Sequence, residues 1–371
     1  VERRDLPLVC MLWLWHSGTA ADQDAAPGLA ALTADLLDEG TASLTMAGLH
    51  EALAGIGGQL DTDIGHDATV LTMLALSSHR ERVAELFVDM AERPRLDAAD
   101  MARVAGLRLN RLRQLRHSAS ALADLLFMRR LYGPHPYGRP GIGTEASLQR
   151  FTVDDVRAFH QRLATTPATL VIVGDITHDE AERLVRRHLS SQARVGHPDP
   201  PVASSTDGTR LLFVPREGAA QSELRVGRVA LPRRTPDYHT AVVTNMLLGG
   251  AFVSRINMKL REEKGVTYGA RSSFQFLRQA GPFSVQASLQ SDATAESVRD
   301  VRANRARRAR RGASGDPRGT RERPRGVDAW VRPGLRDGRA GRPCRGATGP
   351  VRVARRHVRR VLGVHRPGHG R

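Results

Sequence analysis

The chain has 371 residues, with 56 Lys and Arg against 39 Asp and Glu, for a formal net charge of +17. That length suffices for two domains with cores of their own. No run reaches the ~18 apolar residues that a membrane-crossing helix needs, and two cysteines, Cys10 and Cys344, support neither a disulfide framework nor a Cys-based zinc site. The charge is unevenly placed. Residues 1–300 hold 34 basic against 35 acidic residues, whereas residues 301–371 hold 22 Arg against 4 acids.

The first segment, "VERRDLPLVCMLWLWHSGTAAD", has the order of a secretory leader and equally that of a buried strand. A strand-then-helix unit recurs later, which favours a strand over 6–16. A helix follows near 28–38, then a short helix over 46–55. "QLDTDIGHDATVLTMLAL" alternates as two paired strands after the Gly57-Gly58 turn. A helix near 79–92 and a long one near 97–129 come next, the latter apolar at Met101, Val104, Leu107 and Leu112. "LYGPHPYGRPGIGTEAS" is a Gly/Pro loop in which His135 reads as a packing residue. "TVDDVRAFHQRL" opens with a Thr cap and acids in its first turn. "ATLVIVGDI" reads as a buried strand and "THDEAERLVRRHL" as another capped helix.

Residues 1–195 thus form a first domain. Residues 196–208, rich in Pro, Ser and Gly, form a linker. Over 209–300 the pattern restarts: a strand in "SELRVGRVAL", a helix in "DYHTAVVTNMLLGG", a short helix in "SRINMKLREEKG" and a strand pair in "VTYGARSSFQFLRQAGPFSVQASL". Leu36-Leu37 matches Leu247-Leu248, Leu53 matches Leu260, and Gly58 matches Gly265. The order implies an internal duplication whose second copy stops short. Residues 301–371 have no Ile, Met, Phe, Tyr or Lys, two Leu, 12 Gly and 6 Pro, with no helical or strand periodicity. Such a composition cannot bury enough apolar surface to offset its ordering entropy. It fits a frameshifted reading of a GC-rich gene. A disordered native tail and a nucleic-acid-binding arm are the alternatives, the last disfavoured because Trp330 is its only aromatic residue.

Four segments in order carry a resemblance: "SGTAADQDAAPGLAALTADLLDEGT", "GPHPYGRPGIGTEASLQRFTVDDVRAFH", "LVIVGDI" and "LLGGAFVSRINMKLREEKGVTYGARSSF". Over roughly residues 5–300 the chain resembles the insulinase/pitrilysin family of zinc peptidases, in its processing-peptidase and core-protein branch. The resemblance implies an α+β fold of two homologous LuxS/processing-peptidase-like domains, each an antiparallel sheet with helices on one face, the second truncated. The family's H-x-x-E-H motif puts two His ligands and a general base on one helix face. Carried onto this chain, the ligand positions fall on Ala31 and Asp35 and the base position on Ala34. A third ligand, a Glu expected near 111, has no counterpart in "AGLRLNRLRQ". Asp35 alone cannot hold zinc, which takes about three protein ligands and an open position. The resemblance therefore implies no metal in this chain and zinc only in a partner. The family's substrate-binding Arg and Tyr, seven residues apart, fall on Arg261 and Tyr268.

The expected function is a zinc-free, non-catalytic subunit of a heteromeric metallopeptidase, binding extended peptides and an H-x-x-E-H-bearing homologous subunit. Three alternatives remain: a scaffold on a retired peptidase fold, a nucleic-acid binder acting through the tail, and a broken gene product. The family often works in the periplasm or in mitochondria, which favours the periplasm over the cytoplasm here.

Overall fold

The structure is a computed structural model. It describes residues 1–189, 200–203 and 210–311, with the backbone alone for 304–311. Most of the linker and the tail beyond 311 lie outside the described residues, together with the readings attached to them. The described chain divides into two compact units. One comprises 1–117 and 134–201, the other 118–133 and the residues from 202 onward.

Along the chain, β1 (Leu8–Trp15) leads to α1 (Leu29–Asp35), α2 (Met46–Gly55), β2 (Gln59–Ile64), β3 (Thr69–Leu76) and α3 (Arg80–Glu92). Every second residue of β1 faces the core, so Val9, Met11, Trp13 and Trp15 are buried. β1 is a central strand, antiparallel to β3 on one side. α2 starts at Thr45, whose side chain accepts a hydrogen bond from the Gly48 N–H.

The long helix expected over 97–129 is two helices, α4 (Ala98–His117) and α5 (Ala119–Tyr132). Ser118 takes an extended conformation between them and its hydroxyl accepts from the Ala121 N–H, capping α5. Apolar spacing alone could not reveal a cap placed inside a continuous helical pattern. α5 belongs to the second unit.

α6 (Glu145–Leu148), α7 (Val153–Ala164), β4 (Ala168–Gly174) and α8 (His178–His188) complete the first unit. Capping boxes open α7 at Thr152 and Asp155 and α8 at Thr177 and Glu180. β4 pairs with β1 at the edge of the order β2-β3-β1-β4. It is only partly covered, with Val171 exposed, so its apolar run marks an edge strand and not the fully buried one expected.

In the second unit, β5 (Gln221–Val229), α9 (Tyr238–Asn245), α10 (Arg255–Asn257), β6 (Ala270–Phe274), β7 (Pro282–Gln290) and α11 (Thr294–Arg311) form a three-stranded sheet, order β5-β7-β6, with helices. The fold is α+β. The third strand of each repeat lies between the first two, which is the topology a duplication requires. Two π-helical turns, Met246–Gly250 and Met258–Glu263, follow α9 and α10. A π turn carries one extra residue, and this corrects the glycine pairing. The left-handed residues are Gly57 (φ 61°) and Gly265 (φ 65°), one position off the Gly58–Gly265 match.

α11 also crosses residue 300, where regular structure was expected to end. Val301 is buried in the second core, and Arg, a good helix former, continues the helix beyond it. α5 lies on β5. Arg225, its side chain 5% exposed, reaches Asp124 at 2.5 Å, the Ser120 hydroxyl at 2.7 Å and Glu223 at 3.0 Å.

Candidate functional site

In the first unit the site is built on α1. Gly28 precedes the helix in a left-handed conformation (φ 95°), and a Cβ there would lie 2.5 Å from the Gly143 Cα. Only glycine lets the 140–147 loop pack this closely. Asp22 accepts hydrogen bonds from the Gly28 N–H (2.6 Å) and the Ala30 N–H (2.8 Å) and so satisfies the start of α1. Burial pushes the Asp22 carboxyl up to about 6, against the pull of those two bonds and of the Arg139 and Arg108 charges.

Ala31 and Ala34 are fully buried, whereas Asp35 is partly exposed. From α4, Arg108 reaches across to them. One of its terminal nitrogens donates to the Ala31 carbonyl at 3.2 Å and also pairs with the Asp35 carboxylate. The group that meets α1 from the long helix is therefore a cation, one turn before position 111. Beyond Asp35 opens a hollow of about 320 Å³, lined by Asp35, Asp38, Glu39, Asp61, Leu60 and Val104 among others. Burial, with Glu39 and Asp35 nearby, raises the Asp38 carboxyl above its ordinary value. Arg103 pairs with Glu39 on the same rim.

His135 acts in packing. Its Nδ1 accepts from the Tyr137 N–H (3.1 Å), which leaves Nε2–H to donate to the Pro201 carbonyl (2.7 Å).

In the second unit, Tyr268 stands on the loop before β6 and is 92% exposed. Lying ahead of β6 and uncovered, it packs on no strand face. Arg261, in the second π turn, has its guanidinium 4.3 Å from the centre of the Phe252 ring and its Nε 3.5 Å from Glu262. Asn257, beside it, fixes this segment to β6: its amide donates to the Phe252 carbonyl (2.6 Å), and its oxygen accepts from the Ala270 N–H (3.0 Å).

These features match known proteins in the same order. The family described as "Insulinase (Peptidase family M16)" matches residues 8–145, and "Peptidase M16 inactive domain" matches residues 150–314. The chain belongs to the insulinase family, peptidase family M16. Similar family members include an uncharacterized zinc protease of Mycobacterium leprae, 29% identical over 74% of this chain and 63% of that protein. A protein of Helicobacter pylori named a non-peptidase homolog is 23% identical over 74% of this chain and 64% of its own length. The chain therefore spans just under two thirds of these relatives. Among solved structures, a peptidase M16 inactive domain from Pseudomonas fluorescens superposes with a TM-score of 0.77 at 26% identity, covering 84% of this chain and 76% of that one.

The zinc of M16 peptidases does not fit the residues found here. Ala31 and Ala34 carry no donor atom and are buried, and Asp35 is already neutralised by Arg108. A guanidinium within bonding distance of a would-be ligand repels a divalent cation. Among the described residues, no group of three or more His, Cys, Asp or Glu is placed to hold a metal ion, and no helix is long and apolar enough to cross a membrane.

The sequence offered no direct sign of Asp22 or Arg108. Asp22 sits six and eight residues before the N–H groups it accepts from, across a loop with no capping spacing, whereas Arg108 lies 73 positions from Asp35 and escapes a search confined to carboxylates. Its opposite charge to Asp35 was the one available signal.

Proposed function

We propose that this M16 chain is a zinc-free, non-catalytic subunit of a heteromeric metallopeptidase, which binds extended peptide and an H-x-x-E-H-bearing homologous partner. The observation that carries this reading is the Arg108 guanidinium held between the Ala31 carbonyl and Asp35, where a catalytic chain needs metal ligands. In this reading the second unit serves the partner's chemistry. Arg261 presents a planar fork of donors to a peptide carbonyl or carboxylate. The exposed Tyr268 hydroxyl donates to the oxyanion that develops on the scissile carbonyl. The zinc that activates water belongs to the partner alone.

The test is cleavage of a quenched peptide by the chain alone, by an H-x-x-E-H homologue alone, and by their mixture. The mixture should cut where this chain alone does not. Arg261→Ala and Tyr268→Phe should each slow it about 10- to 100-fold, the loss expected for one charge-assisted or oxyanion hydrogen bond. A mixture no faster than the homologue alone refutes the proposal.

A second reading, a scaffold with no part in proteolysis, is favoured by one observation. Arg261 already has local partners in Phe252 and Glu262. Under that reading neither substitution alters the partner's rate.

A further inference from the structure

Arg261 is held by the face of its guanidinium and not by its donors. The guanidinium carbon sits over the Phe252 ring, 4.3 Å from its centre, well within the range at which the ring quadrupole attracts a cation. The ion pair from Nε to Glu262, at 3.5 Å, joins two partly exposed side chains, and such pairs contribute little in water. Among the described residues neither terminal nitrogen of Arg261 has a hydrogen-bond partner. The ring thus fixes the direction of a long side chain and leaves uncommitted the N–H groups that could meet a peptide carbonyl or carboxylate.

The ring is itself anchored. Asn257, 4% exposed, donates from its amide to the Phe252 carbonyl at 2.6 Å and accepts from the Ala270 N–H at 3.0 Å. At the other end of the loop, the Asn245 amide donates to the Ser272 carbonyl at 2.9 Å, and its oxygen accepts from the Ser272 hydroxyl at 2.7 Å. Two asparagine side chains, each donating and accepting at once, therefore pin the loop that carries Phe252 to alternate residues of β6. That strand starts at Ala270, just after Tyr268. One strand accordingly sets both the loop beneath Arg261 and the backbone that leads to Tyr268.

We propose, resting on the reading of Arg261 as a peptide-binding group, that Phe252 is its positioning residue. The ring orients the guanidinium before peptide arrives, so less side-chain freedom is lost when the peptide binds. Leucine at 252 keeps an apolar side chain but has no quadrupole to hold the cation, whereas tyrosine keeps the ring. The contact with Phe252 then serves peptide binding and does not compete with it.

The test is kcat/KM for the quenched peptide, measured on the full chain mixed with its H-x-x-E-H homologue. The variants are Phe252→Leu, Phe252→Tyr, Arg261→Ala and the double Phe252→Leu/Arg261→Ala, each checked for an unchanged far-UV dichroism. Phe252→Leu should lower kcat/KM about 2- to 5-fold, the size of one partly exposed cation–π contact. Phe252→Tyr should keep the parent value. In the Arg261→Ala background Phe252→Leu should have no further effect, because the ring acts only through the guanidinium. If Phe252→Leu fails to fold, Phe252→Met, which also lacks a ring, takes its place in both backgrounds. A ring that merely packed the loop would slow both backgrounds equally. That result overturns the role of Phe252, as does a Phe252→Leu mixture as fast as the parent when Arg261→Ala slows it; both leave Arg261 as a peptide-binding group. An Arg261→Ala mixture as fast as the parent, or a parent mixture no faster than the homologue alone, overturns the reading of Arg261 and the role of Phe252 with it.

Discussion

Replacing Asp35 with alanine strips the Arg108 guanidinium of its counter-charge, and the two members of this pair are unequally buried. The Arg108 side chain is 11% exposed and that of Asp35 42%. Breaking a buried pair costs about 3–5 kcal/mol when the remaining charge has no water to turn to. Asp35→Ala leaves the buried partner behind, so it should cost about 3 kcal/mol. Arg108→Met leaves a carboxylate that solvent reaches and fills most of the vacated volume, so about 1–2 kcal/mol is expected. The double variant Asp35→Ala/Arg108→Met should be less destabilised than the sum of the two, by a coupling of about 1–3 kcal/mol. The assay is urea unfolding of the first unit, followed by the fluorescence of Trp13 and Trp15 in its core in a Trp330→Phe background. Equal costs for the two single changes, together with strict additivity in the double, would refute the view that burial of the guanidinium sets the energetics of this site.

Three further outcomes are expected. Asp22 has its folded carboxyl raised from an ordinary 3.8 to about 6, so the folded chain binds the extra proton between those values. Stability is then fully present below pH 3.8 and falls as pH rises toward 6, by about 3 kcal/mol in all. Subtracting the pH–stability curve of Asp22→Asn from that of the parent should isolate this slope, and a difference that is flat or rises with pH would contradict it. Gly227→Val should destabilise the second unit by about 2–4 kcal/mol, since a Cβ there would lie 2.1 Å from the Phe283 carbonyl oxygen and 2.7 Å from the Phe127 ring. Thermal unfolding with Phe127→Ala as a second-site change tells whether the ring or the strand resists, and an unchanged Tm for Gly227→Val would show that the strand simply gives way. Zinc titrated into the full chain should show no one-to-one site tighter than ~10 µM and should leave Tm unmoved, because a ligand that binds only the folded state raises it; a zinc-dependent rise of several degrees would put a metal site back in the molecule.

Most of the secondary structure was legible because the period of the apolar residues reports which face is buried. The paired strands β2 and β3 are legible in the alternation after the Gly57-Gly58 turn, β1 is a continuous apolar run recognisable as a strand because a strand-then-helix unit recurs, and α7 and α8 announce themselves by Thr caps with an acid three residues on. The duplication was legible in the order of elements, and the sheet orders bear it out. What escaped depended on meetings between distant residues. No local pattern ties Arg225 to Asp124, or Arg108 to Asp35 across 73 positions. The break at Ser118 stayed hidden because a serine within a helical pattern can equally face solvent. The degeneration of the ligand positions could be read residue by residue, whereas the cation that occupies their place could only be seen once α4 was folded against α1.

The change of allegiance at Ser118 bears on how the molecule could be taken apart. Residues 118–133 leave the first unit, contribute α5 to the second, and are followed by 68 residues, 134–201, that return to the first. A cut in the 196–208 region therefore does not separate the repeats. A C-terminal piece beginning there would lack α5, leaving Arg225, 5% exposed beneath it, with neither Asp124 nor Ser120 to answer its charge. The second unit must wait for a helix made long before its own strands, and the first must close around a chain that has left and come back. The duplication has become interlaced, and neither copy can be inherited, excised or replaced as a single uninterrupted stretch of sequence.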